Sequence, residues 1–323
     1  MIELSDVTKE YPDGTVAVDG ISFEVPHGET ASLVGPSGCG KTTTMTMINR
    51  LTSVSEGDIY VDGDSILEVD PIELRRNVGY VIQEIGLFDH MTVEDNIGIV
   101  PDLIGWDEER IDERVSELLE LIRLPPEVRN NYPGELSGGQ RQRVGVARAL
   151  AANPEVILMD EPFGALDPIT REELQDEFLE IQKGLDVTIV FVTHDIDEAI
   201  KMGDRVAVLR NGELVQYDTP KELLRNPVNQ FVEDFIGEDR LLKQLQAITV
   251  RDVMRSPDEA SEVGNSSSVA PDASLKLALQ RLLTVDGGLR VVSDSETIGV
   301  VNQNDIRAAI DADPTTVIEG DHA

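Results

Sequence analysis

Gly35-Pro36-Ser37-Gly38-Cys39-Gly40-Lys41-Thr42 reads as G-x-x-x-x-G-K-T, preceded by the apolar run Ala31-Ser32-Leu33-Val34 and followed by a helix-competent segment over residues 43–51. Strand, glycine-rich loop and helix N-terminus stand in the order that a phosphate-cradling loop requires. Glycines let backbone N–H groups turn inward with no Cβ in the way, and the helix dipole favours an anion at its first turn. The pattern places Gly35, Pro36, Ser37, Gly38, Cys39, Gly40, Lys41, Thr42 and Thr43 around a nucleotide. Lys41 would reach the β- and γ-phosphates, and the Thr42 hydroxyl would meet Mg2+.

The rest of the chain sets limits on what that loop can serve. Its 323 residues allow a large domain plus a small one, and 40% hydrophobic content is ample for real cores. Cys39 is the only cysteine, so no intrachain disulfide forms and a reducing compartment is expected. Its thiol reads either as a redox switch or as a small packing residue of the loop. Met1-Ile2-Glu3-Leu4-Ser5-Asp6 has no basic or long apolar stretch, so no signal peptide is expected. No segment reaches the ~18 consecutive apolar residues of a membrane-spanning helix.

Charge is extreme: 27 basic against 62 acidic residues give −35. The excess is even, since residues 258–323 carry 12 acids and 4 bases, close to the density of the whole chain. Lysine is scarce, at 7 against 20 arginines. An evenly acidic, lysine-poor surface suits high salt, where screening removes self-repulsion, and points to a halophilic source. It disfavours nucleic acid as a partner.

Residues 2–7 and 17–25 read as short strands around the turn Tyr11-Pro12-Asp13-Gly14. Tyr11 suits either a purine ring or an ordinary strand edge. Val78-Gly79-Tyr80-Val81-Ile82-Gln83 is a strand ending on an amide that could meet Mg2+ or water, or simply face solvent. Residues 84–97 mix turn signals with Ile85, Leu87, Phe88 and Met91, either a docking groove or local core. Residues 107–124 are amphipathic, with Ile111, Val115, Leu118, Leu119 and Ile122 on one stripe, stopped by Pro125-Pro126. Leu136-Ser137-Gly138-Gly139-Gln140 then opens a helix expected over residues 141–152, either a second anion site or an N-cap with a flexible turn.

Val156-Ile157-Leu158-Met159-Asp160-Glu161 is an apolar run of the kind buried on both faces of a parallel sheet, ending in two carboxylates. Asp160 can reach the Mg2+ shell, whereas Glu161, one position on, points elsewhere and can take a proton from water. An amphipathic helix over residues 172–185 leads to strand 187–192 and Thr193-His194-Asp195. His194 thus sits at the strand edge where ligands collect in open α/β sheets. A hairpin over residues 205–217 closes this part of the chain.

Taken in order, Tyr11, the glycine loop, Gln83, Leu136-Ser137-Gly138-Gly139-Gln140, Asp160-Glu161, Ala165-Leu166-Asp167 and His194 resemble the nucleotide-binding subunit of an ATP-binding cassette (ABC) transporter. The resemblance covers residues 1 to about 245 and implies an α/β P-loop NTPase fold with a helical subdomain. It implies ATP and Mg2+ as cofactors, with Tyr11 stacking on adenine and Thr42, Gln83 and Asp160 around Mg2+. Glu161 would polarise the attacking water, His194 would contact the γ-phosphate, and Gln83 would couple the site to the membrane. Ser137, Gly138, Gly139 and Gln140 form the signature that meets ATP on a second ATPase subunit, and Asp167 marks the D-loop between the two. Partners implied are a transmembrane permease, an extracellular or periplasmic solute-binding protein and a second copy of the chain, at the cytoplasmic face of the membrane. Val81-Ile82-Gln83-Glu84-Ile85-Gly86-Leu87-Phe88 and Phe235-Ile236-Gly237-Glu238-Asp239-Arg240-Leu241-Leu242 are similar to the branch that imports glycine betaine, carnitine, choline or proline betaine.

The expected division is 1–240 for the ATPase, 241–248 for a linker, 249–311 for a small α+β domain and 312–323 for an acidic tail. Residues 249–311 resemble a single cystathionine-β-synthase (CBS) repeat, with Gly299-Val300-Val301-Asn302-Gln303-Asn304-Asp305 as its last segment. Asp305 is its possible ligand residue, but Asn302 replaces the usual hydroxyl, leaving a sensor or an inert dimerisation cap. Two other functions compete with osmoprotectant import. One is an ABC importer ATPase for another small solute, or a cassette ATPase outside transport that acts on ribosomes or DNA, the latter usually showing two cassettes or a coiled-coil insertion. The other is a regulatory binding protein, which a robust ATPase rate would exclude.

Overall fold

The computed structural model describes residues 1–82, 86–164, 166–182, 184, 187–256, 267–285, 287–293 and 296–311. Three strands precede the glycine loop: β1 (Ile2–Glu10), β2 (Val16–Val25) and β3 (Thr30–Val34). Burial largely alternates along β1 and β2, an antiparallel pair with one wet face, while β3 is buried at every position. Helix α1 (Lys41–Ile48) follows the loop directly, then β4 (Glu56–Val61), β5 (Asp64–Ser65), α2 (Pro71–Arg76) and β6 (Val78–Val81). A helical stretch follows: α3 (Val93–Leu103), α4 (Glu108–Leu121) and α5 (Gly138–Leu150). The chain continues through β7 (Val156–Asp160), α6 (Pro168–Gln182), β8 (Thr188–Val192), α7 (Ile196–Met202), β9 (Arg205–Arg210) and β10 (Glu213–Asp218).

These strands form two sheets. One is antiparallel, in the order β2-β1-β4-β5; the other runs β10-β9-β3-β8-β7-β6, parallel except for β10. After β3 the chain travels to the far edge at β6, returns through β7 to β8, and then crosses to β9 on the other flank of β3. The loops at the C-terminal ends of β3, β7 and β8 therefore share one edge beside that reversal, the place where α/β sheets collect ligands.

The helical stretch is held by Arg129, whose guanidinium donates to both Glu94 oxygens at 2.6 and 2.7 Å and also to Asp112. Helix α5 ends on carbonyls of Leu150 and Ala151 that accept from Arg114 at 3.0 and 3.3 Å, so its last turn is not left unsatisfied. The 84–97 segment divides between its two readings: Ile97 is fully buried, whereas Phe88 is exposed, its backbone N–H and carbonyl both bonded to the Asn96 side chain. Ile85 lies outside the described residues.

Contacts divide the chain into two units, Met1–Thr219 and Pro220–Ala323, rather than at residue 240. The second begins with α8 (Pro220–Arg225), α9 (Gln230–Ile236) and α10 (Arg240–Ala247). The segment 241–248, expected as a linker, is thus mostly helix. Gln244 Nε2 donates to the Leu224 carbonyl at 2.8 Å, and Leu245 and Ile248 are buried in the core of this unit. β11 (Ser268–Val269), α11 (Leu275–Leu282), β12 (Leu289–Ser293), β13 (Glu296–Val301) and α12 (Gln303–Asp311) complete a small α+β arrangement, with sheet order β11-β12-β13.

Helix α5 lies unusually close to the sheet at Gly79 of β6, where a Cβ would come within 2.4 Å of the Ala149 carbonyl oxygen. Gly79→Ala must push the helix away from the strand, at a cost of about 1–3 kcal/mol for overpacking. Thermal unfolding should show a drop of several degrees in Tm; an unchanged Tm would mean that strand and helix have room to part.

Candidate nucleotide-binding site

Two glycines fix the loop by what they exclude. Gly35 has φ +154° and a Cβ there would lie 2.2 Å from the Leu209 carbonyl; Gly40, at φ +106°, would meet the Ala17 carbonyl at 2.5 Å. The loop is therefore pressed against β9 on one side and β2 on the other. At Gly38 a Cβ would meet nothing within 4 Å, so the rim of the loop is open.

Lys41, the first residue of α1, is only 6% exposed. Its Nζ donates to the carbonyls of Gly35 at 2.8 Å and Pro36 at 3.1 Å and lies 3.8 Å from Cys39 Sγ. No carboxylate forms an ion pair with it among the described residues. A buried ammonium held only by neutral acceptors, at a helix N-terminus, fits the anionic phosphates of a nucleotide. Burial pushes the Cys39 thiol up from its ordinary value, with Lys41 drawing it partly back. A protonated, buried thiol is a poor nucleophile, so Cys39 is a packing residue and not a redox switch.

Asp160 ends β7, and its Oδ1 accepts from Thr42 Oγ1 at 3.2 Å. Burial pushes its carboxyl up; the Thr42 bond and Lys41 oppose this, and the neighbouring Glu161 adds to it. A hydroxyl and a carboxylate meeting at the open end of the cradle are the hard oxygen donors that Mg2+ takes, so the residues present fit that ion. Glu161 adopts left-handed φ +42°, a strained conformation for a side chain of its size, held by its N–H donating to the Val192 carbonyl at 2.9 Å. From this turn its Oε2 comes 3.1 Å from Nδ1 of His194. His194 keeps 63% of its side chain exposed, whereas Glu161 keeps 21%.

A pocket of about 470 Å3 is bounded by Ala17, Ser37, Gly38, Cys39, Gly40, Lys41, Thr42, Thr43, Glu161 and His194. The loop and the two catalytic candidates are thus assembled by three strand ends. Ala17 was not foreseen; nothing in its local sequence marks it, and it reaches the wall because its carbonyl packs against Gly40 and Gly212. Tyr11 stands apart from that lining, at the tip of the β1–β2 hairpin, half-exposed and with Lys9 Nζ 5.2 Å from its ring centre. Gln83 and Ala165 lie outside the described residues.

Ser137, Gly138, Gly139 and Gln140 are not on this wall either. Ser137 Oγ accepts from the Gln140 N–H at 3.3 Å while Gln140 Oε1 accepts from the Ser137 N–H at 2.9 Å, a reciprocal cap. The helix therefore begins at Gly138, ahead of the expected residue 141, because the cap fixes its first turn and leaves no flexible glycine turn. Gly138 and Gly139 face Leu166 and Thr170, beside Asp167, which caps α6 by accepting from the Thr170 N–H at 3.2 Å. That cap holds the Asp167 carboxyl below its usual value and starts α6 at Pro168, four residues before the sequence suggested. Asp305, in the other unit, is spent internally: one oxygen pairs with Arg255 Nε at 2.8 Å and the other accepts from the Asn302 N–H at 2.8 Å.

A family model described as "ABC transporter" matches residues 18–164. Over 314 residues the chain is 50% identical to the glycine betaine/carnitine/choline transport ATP-binding protein OpuCA of Bacillus subtilis (strain 168), spanning 97% of this chain and 82% of that one. It is 44% identical over 303 residues to the glycine betaine uptake system ATP-binding protein YehX of Escherichia coli (strain K12), spanning 94% of each. Among solved structures it is similar to the ATP-binding cassette MJ0796 in a dimeric post-hydrolysis state bound to ADP and Pi. That likeness has a TM-score of 0.61 and 34% identity and covers 68% of this chain and 99% of the other. Identity of this extent along the chain, over a site built from loop, acids and histidine, has one reading: the chain belongs to the ABC transporter family, as an ATP-binding subunit that hydrolyses ATP with Mg2+.

Proposed function

We propose that the chain energises import of quaternary-amine osmoprotectants of the glycine betaine, carnitine, choline and proline betaine class. The observation that carries this is the 44–51% identity to ATP-binding proteins named for glycine betaine, carnitine and choline transport, including the choline transport ATP-binding protein OpuBA of Bacillus subtilis (strain 168). The evenly acidic surface supports it, since an organism in high salt needs such solutes. It also argues against a nucleic-acid partner.

Within the site, Lys41 and the loop N–H groups hold phosphate, and Thr42 with Asp160 would hold Mg2+, together with Gln83. Mg2+ so held supplies neutralising charge to the phosphate oxygens. Glu161 acts as general base toward water, its carboxylate oriented by His194, which spends Nδ1 on that contact and turns its remaining nitrogen to the γ-phosphate. Tyr11 faces the adenine. Ser137 and Gly139 stand away from their own chain's cradle, which supports a working site shared by two copies, with Asp167 at the seam. No described helix is long and apolar enough to cross a membrane. As an ABC transporter ATP-binding subunit it works through a permease, at the cytoplasmic face of the membrane, and an extracellular or periplasmic solute-binding protein delivers the amine. The C-terminal module is a CBS-like pairing unit; both oxygens of Asp305 being engaged favours that role over nucleotide sensing.

Glu161→Gln should lower turnover by about 10²–10⁴-fold, the range for loss of a general base, while ATP remains bound; wild-type turnover would remove Glu161 from its role. Vesicles carrying the full complex should accumulate labelled glycine betaine or choline in an ATP-dependent way. Uptake of neither, with robust ATPase activity, would leave the ATPase and refute the solute.

A further inference from the structure

The nucleotide site accounts for Glu161 and His194 but not for a carboxylate buried behind them. Glu198 lies on α7 among the buried Ile196, Ala199 and Met202 and is itself only 7% exposed. An apolar side chain would fill that space without the penalty of a buried acid. Instead three polar groups converge on it. Gln175 of α6, 6% exposed, donates through Nε2 to Glu198 Oε1 at 2.9 Å. Burial pushes the Glu198 carboxyl up from the ordinary value, and the Thr193 hydroxyl and the Gln175 bond, with a weaker pull from Arg171, oppose this.

Two of these, Thr193 and Arg171, grip loops that carry parts of the site. Thr193 immediately precedes His194; its N–H donates to the Leu33 carbonyl of β3 at 3.1 Å, and its Oγ1 accepts from the Asp195 N–H at 3.0 Å. Arg171 donates to the carbonyls of Phe163 at 3.1 Å and Leu166 at 2.9 Å, clasping the turn that leaves Glu161. Glu198 is thus the junction between the turn behind Glu161, the strand end before His194 and the strand that feeds the glycine loop. In front of this junction Glu161 and His194 meet directly, Oε2 to Nδ1, at 3.1 Å.

We propose that Glu198, with Thr193, Gln175 and Arg171, is a positioning device that fixes Glu161 relative to His194 for hydrolysis, without touching nucleotide. This rests on the roles proposed above for Glu161 and His194. A misplacement of about 1 Å at such a pair can cost on the order of 10²-fold in rate, so the device should act on kcat and leave ATP binding alone.

The test compares Glu198→Ala, Glu198→Gln and Thr193→Val in the full chain, with ATPase kinetics and binding of a non-hydrolysable ATP analogue. Glu198→Ala should lower kcat about tenfold or more with analogue affinity within about twofold of wild type, and Glu198→Gln, which keeps the shape and an acceptor, should recover kcat to within about threefold. A loss under about threefold in Glu198→Ala, a loss matched by weaker analogue binding, or a Gln variant no better than Ala would each overturn the proposal. Should Glu198→Ala fail to fold, Thr193→Val decides: a loss of about fivefold or more in kcat at unchanged affinity supports it, and a smaller or matched loss overturns it. Glu161→Gln run beside them separates the two readings. Full activity there defeats the site roles themselves, whereas an inactive Glu161→Gln with an unaffected Glu198→Ala defeats the positioning device alone.

Discussion

Burying an ammonium group costs several kcal/mol unless its partners repay the loss of water. Lys41 is buried beneath its loop with carbonyl oxygens of Gly35 and Pro36 as partners and no carboxylate in ion-pairing range among the described residues. Two close approaches hold it there, loop to β9 at Gly35 and loop to β2 at Gly40, and both need glycine. The central strand, the packing of the two sheets and the start of α1 all serve to keep that charge poised for phosphate. Asp160 shows the same economy from the other sign: it is an acid buried at a strand end, bonded to the Thr42 hydroxyl and with its proton affinity raised by burial.

The parts of the site that close a buried run were legible in the sequence. Val156 to Asp160 is apolar on both faces, so its strand, its place in a parallel sheet and the exit of Asp160 and Glu161 at one edge followed from pattern alone. Residue 194 was placed by the same logic at the end of β8. What pattern could not supply was the exact start of a capped helix, or anything decided by a partner distant in sequence. The helix after Ser137 begins at Gly138 because two side chains cap each other, against the low helix propensity of glycine. Arg240 and Gln244 join α10 to α8 through the carbonyls of Arg225 and Leu224, partners too far back in the chain for a local pattern to show. Cys39 was open between two readings until its burial was known, and Glu198 was invisible because nothing in Asp197-Glu198-Ala199 distinguishes a buried acid from a solvated one.

In the second unit the residue singled out as a ligand candidate has structural partners instead: Asp305 pairs with Arg255 and caps α12, and Asn302 accepts from the N–H groups of Asn304 and Asp305 at 2.8 and 3.1 Å. A side chain with both oxygens committed has little left for a ribose. The exposed Leu277 and Leu283 on and just after α11 remain as apolar surface on the same unit.

One chain presents a cradle, two acids and a histidine on one wall, and a capped serine–glycine helix start elsewhere. If the second element serves the cradle of another copy, hydrolysis belongs to the pair. ATP turnover per chain should therefore be measured across a dilution series, with the fraction of dimer followed by light scattering in the same samples. The account predicts that turnover per chain rises with the dimer fraction and falls toward zero as the chains separate. A constant rate per chain in samples that are wholly monomeric would contradict it.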